Sequence, residues 1–161
     1  MSKKVQYGQV AGPEVIIEMP VGASEVFKYK GGCFVEPDGS GRIEVCDDGD
    51  NTPIGWALSA ERTASSTEGA DKVGVNVSYD AVFEMPAILA DGTVPSDSAL
   101  AAAVGETCDI KVSSNVQYAV IDASSDDILL IVGYKVYGST LGQKTVLVQR
   151  VPKNISYTGV A

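Results

Sequence analysis

The sequence predicts a mainly β protein: a single compact β-barrel or sandwich-like domain over 21–161, one short helix near 96–104, and an extended N-terminal arm over 1–20. Three observations carry this reading. In residues 73–86, Val73, Val75, Val77, Tyr79, Ala81, Phe83 and Met85 alternate with Gly74, Asn76, Ser78, Asp80, Val82, Glu84 and Pro86. A period of two is the signature of a strand with one buried face. The composition adds 17 glycines and an excess of Val, Thr and Ser, with few runs of helix formers, which suits short strands and many turns. Finally, a chain of 161 residues is the size of one ordinary domain. It buries about 70% of its extended-state surface, enough for a core without covalent staples.

Taken in order, residues 1–20 read as an arm, punctuated by Gly8, Gly12, Pro13 and Pro20, whose concentrated apolar run is Val15, Ile16, Ile17. Such a segment suits pairing with a neighbouring sheet edge. Short strands are expected over 26–30, 33–36 and 42–46, the last two joined by a hairpin turn at Pro37-Asp38-Gly39. An acidic turn, Asp47-Asp48-Gly49-Asp50-Asn51, leads into Ile54-Gly55-Trp56-Ala57-Leu58, and the small polar loop 59–71 is expected to be exposed. The ribbon 73–86 would span about 45 Å at roughly 3.3 Å per residue, so it must bend near 78–80. It then serves two sheets, or supplies two strands of one barrel. Pro86 donates no hydrogen bond, so pairing is expected to stop there. The helix begins at Ser96 as N-cap, carries Asp97 in its first turn and stops at Gly105. Strands follow over 107–112, 116–121, 128–137 and 145–151. The Gly-aromatic pair Gly55-Trp56 followed by a Val-rich strand is echoed by Gly133-Tyr134 followed by residues 145–148, which allows an internal duplication over about 26–86 and 105–151.

Charge and chemistry narrow the function. The net charge of −9 argues against sequence-independent nucleic-acid binding. Residues 31–127 carry −14, while residues 128–161 carry +4 and no acid, so copies with these regions on different faces could attract one another. No apolar run reaches membrane-spanning length, and no signal-like apolar segment follows the first lysines, which points to synthesis in a cytoplasm. There is no histidine, which removes the usual neutral-pH base and the triads built on imidazole. Glu84 and Glu106 are the obvious carboxylates for a glycosidase-like pair, but Glu84 falls on the polar side of its strand and both are expected in solvent. The turn at Asp47, Asp48, Asp50 and Asn51 misses the calcium-loop spacing. Gly39-Ser40-Gly41-Arg42 lacks what a phosphate loop needs. Cys33, Cys46 and Cys108 form neither a disulfide framework nor a metal pattern, and are expected as reduced or buried thiols. Neither a catalytic group nor a cofactor or metal site is expected. Trp56 reads as a core or interface anchor, or as a sugar-stacking platform.

Gly-Gly-Cys-Phe-Val at 31–35, the acidic turn, Ile54-Gly55-Trp56-Ala57-Leu58, the Ser/Thr/Gly loop and Val73-Gly74-Val75-Asn76-Val77 together resemble the small β-barrel decoration, or capsid cement, proteins of tailed-bacteriophage heads. The resemblance covers about 26–86, with a weaker echo over 105–151. It implies a structural virion protein, not an enzyme, on the outer surface of the expanded head. There it would bridge neighbouring copies of the major capsid protein, as a homotrimer at threefold positions, with no nucleic-acid or membrane partner. The arm, the long loop 59–71 and the helix depart from the family phrase. On this reading Val15, Ile16, Ile17 and Trp56 are the interface candidates, and removing residues 1–20 should weaken attachment while leaving the barrel folded. The competing class is a carbohydrate-binding or adhesin-type β domain built on Trp56 and the acidic turn.

Overall fold

The structure, a computed structural model, describes residues 7–27, 32–47, 53–58, 62–67, 69–123 and 128–151. In chain order the elements are β1 Gly8–Ala11, β2 Ile16–Pro20, β3 Val26–Phe27, β4 Cys33–Pro37, β5 Ile43–Val45, β6 Gly55–Ala57 and β7 Arg62–Thr63. There follow β8 Lys72–Asn76, β9 Val82–Ile88, α1 Asp97–Ala103, β10 Thr107–Ser113, β11 Val116–Val120, β12 Leu129–Val136 and β13 Lys144–Arg150. The fold is mainly β with one short helix, as the alternating pattern demands.

The ribbon of residues 73–86 serves two sheets. Its first part is β8, its second is β9, and the chain turns at Tyr79 and Asp80 between them. Each part belongs to its own circuit of hydrogen-bonded strands. The first runs β2-β8-β6-β4-β5 and is closed by a parallel bridge from Val21 to Ile43. The second runs β9-β13-β12-β10-β11 and is closed by the parallel pairing of β11 with β9. All other pairs in both circuits are antiparallel. The ladder between β9 and β13 ends at Pro86, which has no N–H. The strand itself does not end there, because Ala87 and Ile88 pair with β11 instead.

Strand for strand, the two circuits repeat one another, and the register repeats too. Ile17, Glu18, Met19 and Pro20 face Val75, Gly74, Val73 and Lys72. Phe83, Glu84, Met85 and Pro86 face Val148, Leu147, Val146 and Thr145. Val21 then lies parallel to Ile43, as Ala87 does to Ala119. The repeat therefore starts at β2 and at β9, wider at its N-terminal side than the expected halves. It also places Trp56, opposite Asn76, in the position of Leu130, opposite Gln149, and not of Tyr134. Glu-Met-Pro at 18–20 and again at 84–86 is the sequence trace of this repeat.

Two further expectations change. Residues 7–20 spend one edge on this chain: β1 pairs with β9, and all five residues of β2 pair with β8. Gly12 has φ 87°, and a Cβ there would collide with the Asp80 carbonyl, so the crossing between β1 and β2 needs glycine. The loop 59–71 is partly packed, since β7 pairs with β3, Ala64 is buried and the Ser65 N–H donates to Asp71. The charged and polar letters of this stretch hid that pairing.

Inside the first circuit, Val21, Phe27, Cys33, Val35, Ala57 and Val75 pack together. The opposite side of the same strands, Phe34 and Trp56, joins the core of the second circuit. Trp56 stacks on Phe83 at 4.8 Å and 11°, and Phe34 meets Trp56 edge-on at 4.8 Å. The helix α1 contributes Leu100 and Ala103 to that core, and its cap is the expected one: the Ser96 hydroxyl accepts the Ala99 N–H at 3.1 Å. Between the circuits, the buried Gln117 side chain mimics a strand. It accepts the Phe34 N–H at 2.8 Å and donates to the carbonyls of Phe34 and Cys46, each at 3.0 Å.

Candidate interaction surface

The residues selected from sequence separate into two environments. Val15, Ile16 and Ile17 are 49%, 43% and 47% exposed, a continuous apolar run on the surface. Trp56 is 2% exposed and is the largest fully buried side chain, so it is a core residue and offers no ring face to a partner or a sugar. Its burial follows from register: Trp56 lies opposite Asn76 on the side of the first circuit that faces the second.

Asn76 holds the run in place. It is fully buried, its Oδ1 accepts the N–H groups of Val15 and Ser78 at 3.2 and 3.1 Å, and its Nδ2 donates to Gln9 and to the Pro13 carbonyl at 2.9 and 3.3 Å. The Val77 N–H bonds the Val15 carbonyl at 2.9 Å, and the Val21 N–H bonds Asp71 at 3.0 Å. The odd-numbered residues of this stretch therefore turn their backbone groups toward β8 and its extension, and Ile16 and Glu18 turn theirs outward. Among the described residues no strand pairs with that outer edge at 16–18, because β2 ends its sheet. Pro20, at the next outward position, has no N–H to leave unpaired. Beside the edge, Ile16 lies over Gly74, its Cγ2 3.1 Å from where a Cβ would stand, and Leu58, 46% exposed, donates its N–H to the Gly74 carbonyl at 2.9 Å.

Glu84 overturns the expectation of a solvated carboxylate. It is 1% exposed, its Oε2 accepts the hydroxyls of Tyr137 at 2.7 Å and Thr145 at 2.9 Å, and Lys135 Nζ lies 3.2 Å from its Oε1. β1 covers it from the side, with Gly8 opposite Glu84, and the Tyr7 hydroxyl donates to the Gly142 carbonyl at 2.7 Å. Burial, together with the hydrogen bond and charge of Glu84, pushes the Tyr137 phenol up to about 12. Burial also raises Tyr7, with Tyr118 and Glu84 adding to it. This cluster ties the N-terminal strand to the turn between β12 and β13. With every partner inside the protein, the carboxylate is a structural acceptor. Glu106 is exposed after α1, and its carbonyl accepts the Ile131 N–H.

The remaining sequence candidates are placed as follows. Asp47 accepts the Val112 N–H at 2.9 Å, while Asp48, Asp50 and Asn51 lie outside the described residues. No group of three His, Cys, Asp or Glu side chains converges on a metal-sized site among the described residues. Cys33, Cys46 and Cys108 are buried and form no disulfide, and burial raises the thiols of Cys33 and Cys108. Of the basic residues at 128–151, Arg150 is buried between the circuits, Lys144 meets Asp97 at 2.9 Å, and Lys135, itself exposed, meets Glu84. Arg150 donates to the carbonyls of Pro53 and Val77 and lies 4.0 Å over the Tyr79 ring. Lys135 and Lys144 thus have acidic partners within their own chain, and Lys153 lies outside the described residues.

Sequence reasoning missed the outer edge of β2 as a distinct feature and the cluster around Glu84. The doubled Glu-Met-Pro is a sequence sign that the two strands are equivalent, but it does not say that one carboxylate is exposed and the other buried. In comparisons with known proteins, no family model, no curated protein and no solved structure matches the chain.

Proposed function

We propose that this chain is a structural decoration protein of a tailed-bacteriophage head, which binds the outer surface of the expanded shell and bridges neighbouring major capsid proteins. The observation that carries the reading is the exposed apolar run Val15, Ile16 and Ile17 along a sheet edge that no other strand pairs with among the described residues. Main-chain pairing along an edge gives attachment, and the apolar side chains add burial. Such contacts form in the expanded lattice alone and stabilise it by mass action, with the protein assembled as a homotrimer at threefold positions. The resemblance at 31–35, 54–58 and 73–77 supports the same class. The carbohydrate-binding alternative loses its support here, because the ring it needs, Trp56, is enclosed.

Cosedimentation of the purified protein with heads of its source phage, expanded and unexpanded, tests the proposal. Saturable binding to expanded shells alone is the expected result. Absence of binding to expanded shells would overturn it.

A further inference from the structure

The repeat inside the chain supplies a template for what the open edge receives. In the second circuit, the outer edge of β9 is filled twice: Ala87 and Ile88 pair with β11, and Val82, Phe83 and Glu84 pair with β1. In the first circuit the equivalent edge is filled once, by the bridge from Val21 to Ile43, and the stretch 16–18 has no partner strand among the described residues. The side chains repeat in kind, with Ile16, Ile17 and Glu18 standing where Val82, Phe83 and Glu84 stand. Covered by β1 and the turn after β12, Glu84 is buried and meets Lys135; uncovered, Glu18 is exposed, as is Glu14, and neither has a cation among the described residues.

We infer that the outer edge of β2 at Ile16–Glu18 is an acceptor for an extended segment of another protein, running antiparallel to β2 in the place β1 takes on β9. A lysine or arginine of that segment lies against Glu18. The backbone groups of Ile16 and Glu18 supply the ladder, and Ile16 and Ile17 supply apolar cover. Charge selects the occupant. A β2-to-β2 pairing of two copies would bring Glu14 and Glu18 of one chain beside those of the other, and like charges facing across a ladder are destabilising. Each chain also carries −9 overall, so at this edge a basic segment of a different polypeptide is favoured over the β2 of a second copy. The inference rests on the decoration reading for the source of that segment, the shell protein, and on nothing else in it.

The test titrates the full chain with synthetic peptides of about ten residues, long enough for one strand, built from alternating valine and threonine. One carries a central lysine, a second a glutamate in its place, and a third is the lysine peptide N-methylated at alternate amides. Hydrogen exchange of individual amides reports where they bind. The lysine peptide is expected to protect Ile16 and Glu18 and to bind about fivefold or more tighter than the glutamate peptide. N-methylation is expected to abolish binding, and Glu18→Lys to reverse the charge preference. Equal binding of all three peptides, no binding of any, or protection on other strands would overturn the inference. So would protection of Ile16 and Glu18 that grows with protein concentration alone, which would assign the edge to a second copy. Peptide binding without shell binding leaves this inference standing and removes the decoration reading. Shell binding that Glu18→Lys leaves unchanged, with no peptide binding, does the reverse.

Discussion

Replacing Trp56 by alanine tests whether the two circuits share one core. The ring is 2% exposed, and an enclosed aromatic of this kind removes roughly 200 Å² from water. At about 25 cal/mol per Å² that burial is worth about 5 kcal/mol. The Cβ that alanine keeps, and partial closing of the space, bring the expected loss to about 3–5 kcal/mol. The stacked contact with Phe83 and the edge contact with Phe34 disappear together. Against a total stability of about 5–15 kcal/mol, the loss is roughly a fifth or more. Urea unfolding followed by circular dichroism reads it directly: with a slope of about 2 kcal/mol per M, the midpoint falls by about 2 M. Trp56→Phe keeps most of the volume and is expected to lose about 1–2 kcal/mol, so a result remains even if the alanine variant fails to fold. Trp56 is also the single tryptophan, and its emission in the parent protein is expected to be blue-shifted and shielded from acrylamide. A midpoint shift below about 0.5 M for Trp56→Ala, or free quenching of the parent, would refute the shared core and return the ring to the surface.

Other consequences follow from the same geometry. Glu84→Ala leaves the buried Thr145 hydroxyl and the Lys135 ammonium without their acceptor and is expected to cost about 2–4 kcal/mol. Glu84→Gln, which keeps an acceptor, is expected to cost less, and equal urea midpoints for Glu84→Ala and the parent would remove the structural role. The Tyr137 phenol is raised from 10.0 to about 12 in the fold, so the unfolded chain ionises first. Stability from this group is fully present below pH 10 and is lost as pH rises toward about 12; alkaline unfolding of the parent against Tyr137→Phe checks the sign. Deletion of residues 1–20, expected from sequence to spare the barrel, removes β1, β2 and the ligands of Asn76. It is expected to unfold the first circuit, and a cooperative urea transition at the parent's midpoint would contradict that. The three buried thiols are expected to ignore a thiol reagent in buffer and to react fully in urea.

The sequence by itself determined the local grammar. The two-residue alternation over 73–86 required a strand with a buried side, and its length required the break that the structure places at Tyr79 and Asp80. Ser96 and Gly105 bounded the helix because capping is a local hydrogen-bond problem, solved by residues within one turn. The turn at Asp38 was legible for the same reason, since its carboxylate accepts the N–H groups of Ser40 and Arg42. What only the tertiary structure decided were questions of which side is covered and by what. Glu18 and Glu84 sit in the same three letters, Glu-Met-Pro, yet one is exposed and the other enclosed, because a strand from residues 8–11 and the turn after β12 cover one alone. Trp56 reads from its neighbours as equally suited to a core or a surface. Its burial comes from Phe83, 27 residues later, on the far side of the turn between the circuits. Alternation says that a strand has two faces, but the solvation of each face belongs to distant segments, and no local pattern encodes them.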